Sequence, residues 1–480
     1  MRVFFIGICG TAMGNAAVLL KKQGVEVAGS DAGVYPPMSD VLSEAGIELF
    51  EGFDEKALHT WLPDRVVVGN AVSRGNAQVE WLLRDRSVPF VCLPQLIGEE
   101  LIGSRPSVVV AGTHGKTTTT SLAAFALREA GVEPGYLVGG VPLDLPSGSE
   151  LGLPTAPFVI EGDEYDSAFF DKRSKFIHYR PRILILNNLE FDHSDIFRDL
   201  ADVTRTFEHL LRIVPSDGFV LLNGDDPNIA SLPTASWTTT VRVGVGPDND
   251  LRMAGFSEGP AGASFNLVWR DTPVGAIEWS LPGEYNARNA AMAAMSSVLA
   301  QAVASGIEPD LTNPFASFGI PPFNKCQGVK RRQEVLVDRE SLVVLSDFAH
   351  HPTAIEGALV SLRARWPQHR LIACFEPRSN TAVTNVFQAE FTEALAEADE
   401  VLVGGINRAE RFAPKERLDV RSMIECLQQK GRLAEAYETN ADLGESLLAR
   451  KFSSEGKVLL AFFSNGSFDG VIGQVAESLV

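Results

Sequence analysis

The sequence has little cysteine and no long apolar run. Its five cysteines are scattered along 480 residues, and no two stand at the C-x-x-C spacing of a redox or metal motif. Such a distribution suits free thiols in a reducing compartment. The apolar start at residues 3–6 is interrupted at once by Gly7, and no later stretch approaches the length of a membrane span. We therefore expect a cytoplasmic protein without a signal peptide or a membrane partner.

Positive charge is also scarce. The chain carries 42 Lys and Arg against 61 Asp and Glu, which gives a formal net charge of -19. This excess of negative charge repels polyanions, so we expect no nucleic-acid partner, and any phosphate site must be focused locally. With 45% hydrophobic residues, the composition is that of a globular protein. For the assembly we expect a monomer or a weak homodimer.

The chain is too long for one core, and its pattern divides it into three α/β domains. Short apolar strands alternate with helical segments in the first hundred residues, a break follows at residues 103–106, and the alternation restarts near Lys330. We place the domains at residues 1–104, 105–325 and 326–480. The middle domain is predicted to be larger and mixed, with antiparallel strands at residues 235–275, a helix at residues 286–302 and a short helix before Pro321.

A predicted strand, a glycine-rich turn and a predicted helix open the middle domain. The turn reads Gly112-Thr113-His114-Gly115-Lys116-Thr117 and ends in the Gly-Lys-Thr of a nucleotide-binding P-loop. Backbone N–H groups of such a loop hold phosphates, its lysine reaches the β- and γ-phosphates, and its threonine hydroxyl binds Mg²⁺. Val110 replaces the first glycine of the general pattern, which predicts a tighter loop. The alternative is a glycine turn without a ligand.

Two acidic segments follow neighbouring predicted strands. One is Glu161-Gly162-Asp163-Glu164-Tyr165-Asp166, and the other is Glu190-Phe191-Asp192-His193. The ligand crevice of an open parallel sheet lies at the carboxyl ends of its strands, so both segments are expected to face the phosphate loop. Carboxylates beside phosphate suit Mg²⁺. Away from a P-loop, the same residues would more simply be loop caps and a surface histidine.

Together these motifs resemble the Mur ligase family, which builds bacterial cell-wall peptides. Three later segments extend the resemblance over nearly the whole chain: Pro282-Gly283-Glu284-Tyr285-Asn286-Ala287-Arg288-Asn289, Gly328-Val329-Lys330-Arg331-Arg332, and Asp347-Phe348-Ala349-His350-His351-Pro352-Thr353. The resemblance implies an N-terminal Rossmann-like domain that binds a UDP-sugar, a central P-loop ATPase-like α/β domain and a C-terminal Rossmann-like domain that binds the acceptor. The implied activity is ATP-dependent amide-bond formation through an acyl phosphate.

The resemblance also implies roles for single residues. Lys116, Glu161 and His193 would be catalytic, and Mg²⁺ would be held by Thr117, Glu161 and His193. The third domain would close over ATP and exclude water. Several family members carry a carbamylated lysine soon after the metal-binding histidine, but no lysine occurs here between His193 and Ile213. The implied ATP-binding residues are Gly112, Thr113, His114, Gly115, Lys116, Thr117 and Thr118 of the loop, Asn286 and Asn289 at the adenine, and Arg332, Asp347 and His350 of the third domain.

The turn after the first strand, at residues 7–14, has the position of a dinucleotide fingerprint. Cys9 and Ala12 stand where that fingerprint has glycines. The resemblance assigns the turn to the diphosphate of a UDP-sugar, which a helix N-terminus also binds well. If Asp31 paired with the ribose of NAD instead, the protein would be an NAD-dependent oxidoreductase. The implied UDP-sugar-binding residues are Gly7, Gly10, Thr11, Asp31, Ser73 and Asn76, of which the last two have a polar surface turn as their alternative role.

The third domain is expected to select the acceptor. In the family branch that adds L-alanine to UDP-N-acetylmuramate, the strand corresponding to residues 371–375 continues into Pro-His-Arg-aromatic-Thr-Arg. Here Ser379 and Ala382 replace both arginines. The string Glu376-Pro377-Arg378-Ser379-Asn380-Thr381 is similar to the branch that attaches L-alanyl-γ-D-glutamyl-meso-diaminopimelate, a recycled tripeptide. We expect this acceptor, bound by Arg378, Ser379 and Asn380, with the L-alanine ligase as the alternative and an ion pair as the alternative role of Arg378.

The attacking amine must lose a proton, and His193, His350 and His351 are candidate acceptors. The pair His350-His351 could also indicate zinc, but the neighbouring sequence offers too few further Cys or His residues for a ligand set. The remaining alternative is a non-catalytic nucleotide sensor that uses ATP only to close. The intact Gly-Lys-Thr and the metal acids argue against it.

Overall fold

The N-terminal sheet is parallel and five-stranded. In the computed structural model, which describes residues 1–450, 452 and 456–479, its elements are β1 (Arg2–Ile6), α1 (Thr11–Lys22), β2 (Glu26–Asp31), α2 (Met38–Glu44), β3 (Glu48–Glu51), α3 (Lys56–Trp61), β4 (Arg65–Val68), α4 (Ala77–Asp85), β5 (Phe90–Cys92) and α5 (Leu93–Leu96). The strand order is β3-β2-β1-β4-β5. The chain reverses direction of winding between β1 and β4, so the loops after β1, β2 and β4 open at one edge.

The central sheet has ten strands, and a separate hairpin of β10 and β11 lies beside it. Its order is β17-β16-β15-β14-β13-β12-β6-β9-β7-β8. The elements are β6 (Ser107–Ala111), α6 (Lys116–Glu129), β7 (Gly135–Leu137), β8 (Ser149–Glu150), β9 (Phe158–Gly162), β10 (Asp166–Ala168), β11 (Asp171–Ser174), β12 (Ile183–Leu186), α7 (Leu200–Arg212), β13 (Phe219–Asn223), α8 (Pro227–Ala230), β14 (Thr239–Gly244), β15 (Leu251–Gly259), β16 (Gly262–Trp269), β17 (Thr272–Trp279) and α9 (Glu284–Ala304).

The centre of this sheet positions the phosphate loop. Strand β6 is buried along its whole length and lies between β9 and β12, both parallel to it. Such strands are apolar runs because helices cover both faces. The alanine-rich helix α9 is buried over most of its length and packs against α6. The phosphate loop and the two acidic segments therefore leave the sheet at the same edge.

Two predictions for the middle domain need correction. Strands β15, β16 and β17 are antiparallel as expected, but β14 runs parallel to β13 and to the start of β15, so it still belongs to the wound part of the sheet. The short helix predicted before Pro321 is wrong. Residues 307–322 form turns and irregular chain, and a 3₁₀ turn at Phe323–Lys325 follows the prolines. Pro309 and Pro314 interrupt the segment, because each disfavours helical backbone at the preceding residue.

The third sheet has six strands in the order β18-β19-β23-β20-β21-β22, and β18 alone is antiparallel to its neighbour. The three sheets occupy residues 2–92, 107–279 and 334–463, while the domain limits remain predictions. The elements are β18 (Glu334–Arg339), β19 (Leu342–Asp347), α10 (Pro352–Arg365), β20 (Arg370–Phe375), α11 (Gln388–Leu395), β21 (Glu400–Val403), α12 (Val420–Gln429), β22 (Leu433–Ala436), α13 (Asn440–Ala449), β23 (Val458–Phe463) and α14 (Val471–Ser478).

Both outer domains pack on the middle one. One buried apolar cluster includes residues of the N-terminal domain and of the central sheet. The third domain is held by polar contacts as well: Ser361 Oγ donates to Glu258 at 2.6 Å, and Gln333 Nε2 donates to the hydroxyl of Tyr285 at 2.8 Å. Among the described residues, no helix combines the length and the apolar character that a membrane crossing needs.

The contact between the first two domains leaves no room for a side chain at Gly98. A Cβ on this residue would lie 2.1 Å from the carbonyl oxygen of His178. We expect Gly98→Ala to lower the free energy of unfolding by about 1–3 kcal/mol, because the two segments must move apart. Chemical denaturation measures this. Gly473→Ala is the matched control, since it meets nothing within 4 Å in helix α14 and should not destabilise. Equal stability of both variants would contradict the packing.

Candidate active site

The phosphate loop joins β6 to α6 and requires its glycines. Gly112 and Gly115 have φ of +134° and +80°, which favour glycine. A Cβ at Gly115 would also lie 2.8 Å from Oδ1 of Asn289. Helix α6 has no side-chain cap at its N-terminus, where Thr117 and Thr118 lie in the first turn. Its first N–H groups are therefore available to donate to phosphate oxygens.

Lys116 is folded back onto this loop. Its Nζ donates to the carbonyl oxygens of Gly112 and Thr113 at 2.6 and 3.3 Å and lies 3.0 Å from Oε2 of Glu164. The other oxygen of Glu164 lies 3.0 Å from Nε2 of His193. Burial opposes both charges, but their mutual attraction leaves the pKa of Lys116 raised and the pKa of Glu164 lowered. The lysine is charged and can turn from Glu164 to a phosphate.

Glu161 and Thr117 meet beside the lysine. Thr117 Oγ1 donates to Oε2 of Glu161 at 3.1 Å, and the N–H of Gly139 donates to the other oxygen. Burial raises the pKa of Glu161, so its negative charge is incompletely compensated by the protein. A hydroxyl and a carboxylate are suitable Mg²⁺ ligands, and a cation would restore the balance. His193, the third predicted ligand, instead hydrogen-bonds Glu164.

Asn286 and Asn289 lie in the first turns of α9, close to the phosphate loop. Both are nearly fully buried. Asn289 Nδ2 donates to Asn286 Oδ1 at 3.1 Å, Asn286 Nδ2 donates to the carbonyl oxygen of Pro282 at 2.7 Å, and Asn187 Nδ2 donates to Asn289 Oδ1 at 3.4 Å. These amides tie α9 to β12, and their contact with adenine remains a prediction.

The third-domain residues expected at ATP reach the same edge to different degrees. Arg332 stacks on Phe348, with its Cζ 4.7 Å from the ring centroid, and its charge acts on Glu161 and Asp347. Asp347 is buried, and its two oxygens accept the N–H groups of Gln333 and Ala349 at 2.9 and 2.6 Å. His350 Nε2 lies 3.9 Å from Oδ2 of Asp192. Both oxygens of Asp347 are therefore occupied by backbone N–H groups of the third domain itself.

A buried pair links the loop after β20 at residues 376–382, which the sequence predicts to bind the acceptor and which we call the acceptor loop, to the segment that carries His193. Thr381 Oγ1 donates to Oδ1 of Asp192 at 2.7 Å and lies 3.3 Å from the N–H of Ser194. The same Asp192 oxygen accepts the N–H of His193 at 2.7 Å. Burial would raise the pKa of Asp192, but the three neighbouring histidines and Thr381 hold it well below its ordinary value. The pair therefore joins a charged carboxylate to the third domain.

In the first domain, the predicted UDP-sugar residues surround the edge opened by β1, β2 and β4. Gly7 has φ of +87°, and α1 begins at Thr11 after Gly10 without a side-chain cap, so its N-terminus is free for a diphosphate. Asp31 is already engaged, because its Oδ2 accepts the N–H of Cys9 at 2.8 Å. This bond weakens the ribose pairing that an NAD-dependent oxidoreductase would need. Asn76 caps α4, and the carbonyl of Ser73 accepts the N–H of Asn76.

The acceptor loop follows β20 and is anchored by Glu376. This carboxylate is fully buried and accepts from Arg378 Nη1 at 3.1 Å, from Asn440 Nδ2 at 2.9 Å and from Ser464 Oγ. The ion pair considered as the alternative role of Arg378 is therefore present, yet the guanidinium remains partly exposed. Ser379 Oγ accepts the N–H of Ala382 at 3.1 Å, and Asn380 is exposed.

Three profiles of Mur ligase domains match the chain. They are the catalytic domain of the family at residues 2–102, the middle domain at residues 110–297 and the glutamate ligase domain at residues 331–461. The UDP-N-acetylmuramate--L-alanyl-γ-D-glutamyl-meso-2,6-diaminoheptandioate ligase of Escherichia coli K12 is 38% identical over 483 aligned residues, which cover 100% of this chain and 98% of that protein. The chain belongs to the Mur ligase family.

Two further relatives of this Mur ligase are a murein peptide ligase and an L-alanine ligase. The crystal structure of the murein peptide ligase of Psychrobacter arcticus 273-4 matches with a TM-score of 0.66 and 32% identity and covers 100% of this chain and 98% of its own. The UDP-N-acetylmuramate--L-alanine ligase of Arthrobacter sp. FB24 is 33% identical over 448 residues, 91% of this chain and 88% of that protein. The three-domain α/β fold and the family expected from the sequence are confirmed.

Several contacts of the Mur ligase site were not predicted as contacts. The sequence places Glu164 and Asp192 in the acidic segments without a role, and Thr381 only in the acceptor string. The expectation that His350-His351 has too few neighbouring ligands for a metal is wrong, because folding brings His114 and Glu190 to His351, and these three residues could hold a metal ion. In the sequence, these residues share only a position after a predicted strand. Their contact partners depend on how the domains pack together, which local sequence does not show.

The Thr381–Asp192 contact makes a stability prediction. Thr381→Val leaves a buried carboxylate without its hydroxyl donor, so we expect a loss of about 1–3 kcal/mol in the free energy of unfolding. Thr381→Ser keeps the hydroxyl and should behave nearly as the unmodified protein. Chemical denaturation of both variants measures the difference. If valine and serine are equally tolerated, the contact does not form in solution.

Proposed function

We propose that this Mur ligase joins UDP-N-acetylmuramate to L-alanyl-γ-D-glutamyl-meso-diaminopimelate, with ATP as the energy source, in peptidoglycan recycling. The observation that carries the acceptor assignment is the loop after β20. Ala382, at one of the two positions where the alanine-adding branch has arginine, is fully buried, and Ser379, at the other, bonds within its own loop. Neither can clamp the carboxylate of a free amino acid. Arg378 remains as the guanidinium for a peptide carboxylate.

The relatives support the same acceptor. The Escherichia coli protein that aligns along the whole chain is named for this tripeptide, and the Psychrobacter arcticus structure is a murein peptide ligase. The relative named for L-alanine aligns over a smaller share of the chain. Identity alone separates these branches weakly, and the loop sequence adds the physical reason.

The first chemical step is attack of the sugar-acid carboxylate on the γ-phosphate of ATP. The N–H groups at the start of α6 and the charge of Lys116 stabilise the phosphate oxygens as negative charge builds on them. A magnesium ion bound by Thr117 and Glu161, with His193 nearby, would add charge neutralisation there. The product of this step is an acyl phosphate and ADP.

In the second step the α-amine of the tripeptide attacks the acyl carbonyl, and phosphate leaves. No nucleophile of the enzyme is needed. Burial lowers the pKa of His350 to about 4, so its imidazole is neutral near pH 7. Its Nδ1 lies 3.0 Å from the carbonyl oxygen of Phe348, which requires the proton on Nδ1 and leaves Nε2 with the lone pair. His351 likewise has a pKa lowered to about 4 by burial, so both His350 and His351 present an unprotonated nitrogen near pH 7 that can accept the proton of the amine.

Closure protects the intermediate. The Thr381–Asp192 pair and the docking contacts of the third domain hold the acceptor loop at the edge of the central sheet that carries the phosphate loop, and they restrict access of water to the acyl phosphate. The sugar acid would enter from the first domain, along the free N-terminus of α1. Each of the three domains would thus bind one of the three substrates.

A comparison of the two acceptors in separate reactions tests this function. Purified protein is incubated with ATP, Mg²⁺ and UDP-N-acetylmuramate, and phosphate release is measured with the tripeptide or with L-alanine. We expect release with the tripeptide only, and none from Lys116→Ala. Release with L-alanine alone would assign the protein to the biosynthetic branch. Release with neither acceptor would contradict the ligase proposal.

Arg378 makes a separate prediction about affinity. Loss of its charge-assisted hydrogen bonds, worth about 1.5–3 kcal/mol, should raise the KM for the tripeptide about 10- to 150-fold in Arg378→Ala. Arg378→Lys, which keeps the charge without the planar fork, should be intermediate. The KM for UDP-N-acetylmuramate is the internal control. A fall in kcat with unchanged tripeptide KM would leave Arg378 only its ion pair with Glu376.

A further inference from the structure

His114, Glu190 and His351 form a second polar cluster, the two-histidine cluster, beside the phosphate loop. Nε2 of His114 and Nδ1 of His351 each lie 3.1 Å from the same oxygen, Oε2 of Glu190. The two imidazole centroids are 4.6 Å apart. One histidine comes from the phosphate loop, the carboxylate from the segment after β12, and the other histidine from the start of α10 in the third domain.

One nitrogen in this cluster has no hydrogen-bond partner. Nε2 of His351 lies 3.2 Å from the carbonyl oxygen of Phe191, which can only accept, so Nε2 carries the proton. Nδ1 then presents a lone pair to the carboxylate of Glu190. It is buried and makes no hydrogen bond. Two acceptors that face each other at 3.1 Å without a proton between them repel.

A proton on His351 does not resolve this conflict near neutral pH. Burial lowers the pKa of His351 to about 4, with His114 acting in the same direction. The ring is therefore neutral at pH 7, while Glu190, whose pKa lies below its ordinary value because of His114 and His351, is ionised despite its burial. His351 therefore adds no positive charge at the point where the three ligand atoms converge.

We propose that the two-histidine cluster binds a first-row transition metal ion of the zinc class, which docks the third domain onto the phosphate loop. Two imidazole nitrogens and one carboxylate oxygen form a common zinc ligand set, with water as the fourth ligand. Zinc–nitrogen bonds of 2.0–2.1 Å in a tetrahedron separate ligand atoms by about 3.3 Å, close to the spacing seen here. Mg²⁺ prefers oxygen ligands and remains at Thr117 and Glu161.

A third ligand group elsewhere serves as the comparison. Cys92, Asp171 and His178 also converge, at the contact between the first two domains. There the guanidinium of Arg173 already donates to both oxygens of Asp171, at 2.9 and 2.8 Å. This local positive charge opposes a cation, whereas no lysine or arginine of the described chain forms an ion pair with Glu190. The two-histidine cluster is the stronger site on these grounds.

The site implies a function independent of the acceptor and of ATP turnover. His351 moves with the third domain, and His114 and Glu190 belong to the middle domain. An ion bound by all three would favour the closed arrangement before ATP arrives. The proposal can therefore fail while the ligase function stands, and the reverse also holds.

Metal binding to the full-length protein tests the proposal. Protein stripped with a chelator is titrated with Zn²⁺ against a fluorescent zinc indicator, in millimolar Mg²⁺ that keeps the magnesium site occupied. We expect one ion per chain. In His351→Gln the affinity for zinc should fall by about 100-fold or more, because removing a direct ligand costs more affinity than removing a residue that only hydrogen-bonds a ligand. His114→Gln provides a second ligand variant if His351→Gln does not fold. Cys92→Ser should bind as the unmodified protein does.

Thermal unfolding and Co²⁺ absorption complete the test. Zinc should raise the Tm of the unmodified protein and of Cys92→Ser but not that of His351→Gln. Bound Co²⁺ should show tetrahedral bands without a thiolate band. The assignment would be overturned if no ion binds, or if neither histidine variant changes binding. It would also be overturned if binding is lost in Cys92→Ser, which alters the comparison group, or in His193→Gln, which alters the predicted magnesium site.

Discussion

A continuous run of buried polar contacts connects the phosphate loop to the third domain, and the working arrangement of the molecule depends on it. Lys116 pairs with Glu164, Glu164 with His193, and the backbone of His193 with Asp192, which accepts from Thr381 across the domain boundary. Charges buried to this extent are stable only while each has its partner. The position of the acceptor loop is thus coupled to that of Lys116.

This coupling explains how a strongly acidic protein can handle ATP and an acidic acceptor. Its net charge of -19 opposes anions over the surface as a whole. Positive groups nevertheless lie at the edge of the central sheet: the start of α6, Lys116, and Arg332, whose charge acts on Glu161. The same edge carries the acids suited to a metal ion. Third-domain residues pack against this edge, where charges are screened less than at an open surface.

Local sequence could predict the frame of the molecule but not its cross-domain contacts. Parallel strands such as β6 are apolar runs, and a glycine turn followed by Gly-Lys-Thr marks a phosphate loop, so both could be placed from the sequence. Asp192 and Thr381 are 189 positions apart, and no periodic pattern relates them. His114 and Glu190 are likewise distant from His351 in the sequence, and only folding brings them close. The same limit hid the partner of Asp31.

The central claim is that the three domains assemble one site in which the sugar-acid carboxylate is activated by phosphorylation, without an enzyme nucleophile. Isotope transfer tests it most directly. UDP-N-acetylmuramate labelled with ¹⁸O in its carboxylate is incubated with ATP and the tripeptide, and the released phosphate is analysed by mass spectrometry. The account predicts one ¹⁸O atom in each phosphate formed together with the amide. Amide formation with unlabelled phosphate would contradict the acyl phosphate.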